Sequence, residues 1–457
     1  MTKNIRTGFL IAFLICAAGG AARAQQPLTL RQAVELALKQ NPALRAAREE
    51  ADVAHARVGE ARAGWLPRLD VHQSFTRGDN PVYVFGALLT QRQFTAANFA
   101  LSALNQPSPL DNFQTQVSGE VSLFDSGRRY LREAGARKIS SAADYETAQA
   151  RQDLILRVVR AYYGVIVARE ELAAASQALD SAKANQRRVR TMHTAGLVVT
   201  SDLLSAEVFR SQMLDRQITA SNALEIARLN LGRELGLGPG VEPEATGTLG
   251  EPKPLSGAVD DWEKTALAER PALRAARLQE QAANTNRKLA KADFGPQIGL
   301  FADFERDAEA LGGPSGTNWT AGAKLDWNLF AGGAKRSRLA EADARRSQAE
   351  DRLEWLQSGI ELEVRAAYLD AQAAAQRADA ARGAADQAAE SLRIIQNRYQ
   401  AGLVTITELL RAQTAQLDAR TGYLTALHDW QVARAQLERA AGDLTLESSF
   451  FGQGGKP

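Results

Sequence analysis

Apolar residues change their period several times along the chain, and each change marks a new element. A helix begins after Thr29, which suits an N-cap, and Pro42 interrupts it. A second helical stretch runs to about Gly64. Beyond Pro67 the period drops to two: Leu69, Val71 and Phe75 alternate with Asp70, His72, Ser74 and Thr76. The same alternation returns around Val117, Val121 and Leu123, then around Ile298, Leu300 and Phe304, and finally from Trp319 through Leu325 to Leu329. It predicts strands over about 68–77, 112–124, 297–304 and 318–330, arranged as two hairpins. After each hairpin the helical period resumes from Gly127 to His193 and from Gly333 to Tyr399, with no proline in either stretch. At 1.5 Å per residue each helix would reach about 100 Å. Leu154, Val158, Ala161, Tyr162 and Val165 carry the helical spacing. Each stretch ends at Ala-Gly-Leu-Val and restarts as a further helix, a helical hairpin closed by a glycine turn.

The chain repeats itself. Asn41-Pro42-Ala43-Leu44-Arg45-Ala46-Ala47-Arg48 recurs as Arg270-Pro271-Ala272-Leu273-Arg274-Ala275-Ala276-Arg277. Leu123-Phe124-Asp125-Ser126-Gly127 matches Leu329-Phe330-Ala331-Gly332-Gly333, and the turn at 195–198 matches that at 401–404. These matches predict two structural repeats over 25–236 and 259–447, joined by an irregular, Gly- and Pro-containing connector over 237–258 and followed by a tail over 448–457. The first repeat is longer because of its hairpin loop, Arg77 to Asp111, whose Tyr83, Phe85, Phe94 and Phe99 favour a structured cap over a passive surface loop. The matching loop, Glu305 to Asn318, is short and Gly-rich.

Composition narrows the function. With 55 Lys+Arg against 53 Asp+Glu, the net charge of +2 does not suit a binder of nucleic acid. Lys3 and Arg6, an apolar run from Gly8 to Ala18, and Ala22-Arg23-Ala24 have the form of a signal peptide over 1–24. The single cysteine, Cys16, follows Ile15 rather than the small residue that lipoprotein processing needs, and it leaves with that peptide. The four histidines are scattered, so no zinc site is expected. No phosphate loop or catalytic triad is visible, and neither an enzyme nor a cofactor is expected.

Four strands are too few to close a barrel. Their one-sided apolar faces nonetheless have the dyad pattern of an outer-membrane strand, and Trp319 and Trp327 stand about 26 Å apart along one strand, near the height of a lipid-facing band with aromatic girdles. An exported chain of this kind must oligomerise to bury its strand edges. An ordinary sheet packed on helices is the alternative.

On these residues the chain resembles the TolC-like outer-membrane efflux protein family. The resemblance rests on Leu28-Thr29-Leu30 with Ala33, Ala37 and Asn41-Pro42, on the duplicated helix–hairpin–helix plan, on Leu-Phe-x-x-Gly after each strand pair, and on the paired Ala-Gly-Leu-Val turns. It implies a mainly α fold with a membrane β-barrel: a homotrimer with a twelve-stranded barrel in the outer membrane and an α-helical barrel in the periplasm. It implies an exit duct for small molecules that works with a periplasmic membrane-fusion adaptor and an inner-membrane pump. A duct for type I protein secretion is the close alternative, and a pore-free periplasmic coiled-coil scaffold the distant one. It further implies adaptor-docking tips at Gly196, Leu197 and Val198 and at Gly402, Leu403 and Val404. Glu408 matches the family's first acidic constriction position, whereas Arg411 stands where a second carboxylate is found. Tyr399 and Asp202 match a pair that links helical hairpins, and Val404 replaces the arginine of a second link. Glu408 could instead pair with Arg411 on one helix face.

Overall fold

The computed structural model describes residues 28–238, 241, 243–448 and 450–451; the expected signal peptide lies outside the described residues. The first half runs α1 (Leu30–Gln40), α2 (Pro42–Ala63), β1 (Arg68–Gly78), α3 (Pro81–Thr90), a short 3-10 turn (Ala96–Phe99), α4 (Leu101–Asn105), β2 (Leu110–Phe124), α5 (Arg128–Thr194) and α6 (Thr200–Leu235). The second half runs α7 (Val259–Glu269), α8 (Pro271–Ala292), β3 (Gln297–Ala308), β4 (Ser315–Asp326), α9 (Ala334–Gln400) and α10 (Ile406–Ala440).

Local chemistry explains the boundaries. Thr29 and Gln32 form a reciprocal capping box at the start of α1. Asn41 caps α2 through the amides of Ala43 and Leu44, with Pro42 at the first helical position, where its missing N–H costs nothing. The strand-to-helix turn needs two successive left-handed residues in each half. In the second half they are Gly332 and Gly333; in the first they are Ser126 and Gly127. Ser126 tolerates its φ of 57° because its hydroxyl donates to the carbonyl of Pro296 at 2.7 Å.

The strands form one antiparallel sheet in the order β1-β2-β3-β4, leaving β1 and β4 as unpaired edges. Its register aligns the four apolar faces. Val71, Val117, Phe304 and Trp319 share one row, and Leu69, Gly119, Ala302 and Ala321 the next. The opposite face is polar: Lys324 pairs with Glu120, Asn112 donates to Asp307 at 2.8 Å, and Gln116 donates to Asp303 at 3.3 Å. Phe301 is an apolar residue on that face, and its ring lies over Gly322, where any Cβ would fall 2.8 Å from it.

Strand β4 ends at Asp326, earlier than the expected 330. Asp326 pairs with Gln297, the first residue of β3, and before it stands Pro296, which has no N–H to extend the ladder. Trp327 therefore lies one residue past the strand, half-exposed, with its indole N–H donating to the carbonyl of Phe294 at 3.1 Å.

The two hairpins of α5 with α6 and α9 with α10 are flanked near the sheet by α2 and α8. Helices α5 and α9 are each 67 residues long. The largest core gathers Leu154, Ile155, Val158, Val159 and Ile166 of α5 under Ala33, Val34 and Ala37 of α1 and Leu231 and Leu235 of α6. The connector is irregular, yet it is tied down: Leu28 bridges Ala245, Tyr162 donates its hydroxyl to Leu28 and Thr246, and Arg169 reaches the carbonyls of Ala245 and Gly247. Residues expected as tail also join this core, since Phe450 and Phe451 are both buried in it. Their aromatic area is worth more in this core than in water.

Beside this core lies a polar knot. Arg270, 5% exposed, donates to the carbonyl of Ala440 and pairs with Glu363; Arg439 pairs with both Glu363 and Asp153. On the flanks, Trp355, Leu362 and Leu369 of α9 are exposed, as are Leu204, Val208 and Ile218 of α6. Opposed apolar flanks and two open sheet edges have the form of a head-to-tail interface that closes by rotation.

Candidate functional site

The two hairpin tips share one construction. At the first, the amides of Leu197 and Gly196 donate to the carbonyls of Met192 and His193. At the second, those of Leu403 and Gly402 donate to Arg398 and Tyr399. Both are Schellman caps, with Gly196 at φ 73° and Gly402 at φ 71°. A Cβ at either glycine would meet nothing within 4 Å, so the backbone angle, not crowding, selects glycine there. The next residue in each turn points out: Leu197 is 71% exposed and Leu403 68%. Val198 and Val404 are half-buried instead, and Val198 packs on a small cluster of Val189, Ala206 and Ile406.

That cluster joins the hairpins, because its members come from α5, α6 and α10 and Tyr399 of α9 packs against it. Burial raises the Tyr399 pKa, and the nearby Asp202 carboxylate raises it further. Tyr399 and Asp202 are thus neighbours within one chain, but among the described residues no hydrogen bond joins them. An ion pair that the sequence pattern did not reveal, Arg190 to Glu207 at 2.8 Å, clamps α5 to α6 near the tip. Its guanidinium holds the Glu207 carboxyl below its usual range.

Thr405 caps α10 by accepting from the amide of Glu408 at 3.3 Å. The Glu408 side chain is exposed, and among the described residues no ion pair links it to Arg411. Arg411 instead lines an open, largely apolar groove between α6 and α10 with Leu204, Val208 and Thr407. Because Gly402 has φ 71°, Gly402→Pro is sterically incompatible with its turn. If the tip docks an adaptor, as the resemblance implies, export through the variant is expected to fail while trimer insertion persists, read as substrate accumulation in cells beside the trimer band of the membrane fraction. Normal export would separate the tip from docking.

Among the described residues no helix is long and apolar enough to cross a membrane. The profile of the outer membrane efflux protein family matches residues 33–237 and 262–443. The chain is 28% identical to Protein CyaE of Bordetella pertussis over 428 residues, covering 91% of this chain and 84% of that one. It is 25% identical to the alkaline protease secretion protein AprF of Pseudomonas aeruginosa, covering 94% and 89%. Its fold superposes on the CmeC outer membrane channel of Campylobacter jejuni with a TM-score of 0.78 at 17% identity, covering 93% of this chain and 88% of that one. The one-sided sheet, the two long hairpins and the profile match across both halves agree: the chain belongs to the outer membrane efflux protein family and is an outer-membrane channel that extends into the periplasm.

Proposed function

We propose that the trimeric channel is the exit duct of a tripartite efflux pump, taking small molecules from an inner-membrane pump through a periplasmic membrane-fusion adaptor. The observation that carries this reading is the coincidence of four apolar strand faces on a sheet that continues into two equal hairpins. A pore-free scaffold would have no use for such a face. Strand β4 of one copy takes β1 of the next, giving twelve strands. Trp319 and Trp327 sit at the two lipid interfaces, and the exposed Leu197 and Leu403 enter the adaptor's helical hairpin, an apolar contact otherwise wasted on a periplasmic turn.

At the inner end, three copies of Glu408 surround the axis as the constriction, with Arg411 behind them. Like charges in a narrow mouth repel, so closure needs restraint from the neighbouring hairpins; Tyr399 with Asp202 is our candidate restraint, supported by the closeness of the two groups. Glu408→Gln is expected to lower the cation preference measured by reversal potentials in planar bilayers, because the ring supplies the local negative field. Unchanged selectivity would remove Glu408 from the pore.

Type I protein secretion is a second reading, favoured by the likeness to AprF, whose name describes alkaline protease secretion. Deleting the chain in its own host distinguishes the two. Efflux predicts raised dye and drug accumulation with an unchanged set of secreted proteins; secretion predicts loss of a protein from the medium.

A further inference from the structure

The segment between β1 and β2 folds over the polar side of the sheet. Asn318, on the polar face of β4, donates to the carbonyl of Thr90 at 3.3 Å. A Cβ on Gly316 of the same face would fall 1.9 Å from that oxygen. Gln91, 2% exposed, donates to Asn112 at 2.9 Å, and Asn112 donates to Asp307, itself 1% exposed. All these partners belong to the face that lines the lumen of the barrel. The end of α3 is therefore fastened to the inner wall, across β2, β3 and β4. Arg92 completes the fastening: its guanidinium reaches the carbonyl of Thr317 at 2.8 Å, which offsets the strain of a left-handed φ of 58° in a residue other than glycine.

Helix α3 has two apolar sides. Val84 and Ala87 are buried on the side that carries Gln91. Val82, Gly86 and Leu89, spaced i, i+4 and i+7, form the opposite side. Val82 is 82% exposed, and a Cβ on Gly86 would meet nothing within 4 Å. In a closed ring, a side turned away from the inner wall looks toward the axis. Twelve strands about 4.8 Å apart and tilted about 40° make a ring roughly 24 Å across between backbones. Three helices, each about 10–12 Å thick, fill a bore of that width. The caps are also neighbours along the rim. Each cap is tied to its own β4, whose free edge takes β1 of the next copy, and the next cap begins just past the end of that β1.

We infer that Val82, Gly86 and Leu89 of the three copies pack against one another at the outer mouth as an apolar plug, so that the duct is closed at its extracellular end as well as at its tips. This rests on the trimeric-channel reading above. Cys16 is the only cysteine and leaves with the expected signal peptide, so introduced cysteines report cleanly. Thr320→Cys places a thiol on the luminal face, and a polyethylene-glycol maleimide applied to whole cells reads access from outside.

Replacing residues 82–105 by a short Gly-Ser linker should speed that labelling about tenfold or more, the factor set by a lid open a tenth of the time or less. Leu89→Asp, at an exposed position that leaves the fastening intact, should also speed it. Gly86→Cys should give an oxidative dimer within intact trimers. Equal labelling rates with and without the cap, or intact trimers whose Gly86→Cys thiols do not cross-link, would overturn the plug. The heat-modifiable trimer in the outer-membrane fraction keeps the two readings apart. If the chain forms no such trimer, the duct reading falls; a trimer with a freely labelled outer mouth sinks only the plug.

Discussion

Leu300→Arg is expected to abolish the assembled trimer. Leu300 pairs with Val121 on one side and Ala323 on the other, on the apolar face and midway between the rows of Trp319 and Trp327. Arginine at the midplane of a lipid face costs about 2–4 kcal/mol, and symmetry repeats that cost in all three copies. Leu325→Arg, one residue from the end of β4, should cost only about 0–1 kcal/mol, because the penalty fades toward the interface. Thr320→Arg, on the luminal face, should insert normally. The measurement is the heat-modifiable trimer in the outer-membrane fraction. A normal Leu300→Arg trimer beside a failed Thr320→Arg trimer would mean that lipid and lumen had been assigned to the wrong faces.

Arg270→Ala should destabilise each protomer by about 1.5–3 kcal/mol, the usual worth of a hydrogen bond to a charged group, because Glu363 is only half-buried. Glu363 keeps only Arg439, and the carbonyl of Ala440 loses its donor. Backbone crowds this site as well, since a Cβ on Gly442 would fall 2.8 Å from the Cα of Arg270. Arg270→Asn should recover part of the loss, because asparagine at the matching position, Asn41, caps the helix that follows. Thermal unfolding of the detergent-solubilised trimer checks the order wild type, Asn, Ala. Equal melting of all three would show that the knot contributes nothing to stability.

The long helices were legible because nothing in either stretch breaks the period and the glycines after it need left-handed backbone. Their bounds move by one residue in the structure, and the tip glycines and exposed leucines lie where the repeat puts them. Strand β4 was read three to four residues too late, running past Asp326 because side-chain alternation continues there, whereas a strand also needs a partner, and Pro296 withholds one. Phe450 and Phe451 looked like a tail because a two-residue apolar pair has no period to read. The Arg190–Glu207 clamp and the Gln91–Asn112–Asp307 chain were hidden for another reason: their members come together only after helices or strands have paired.

The equal length of α5 and α9 also restricts how such a chain can change. Seven residues added to each arm of the α5–α6 hairpin alone would drop one ring of tips about 10 Å below the other, and a partner gripping six tips would reach only three. Growth beneath the membrane is therefore admissible only in matched pairs, one insertion in each half, like two legs of a tripod lengthened together. Above the membrane no such pairing applies. The hairpin loops there differ freely in size, and new sequence can be tried in one half without consulting the other.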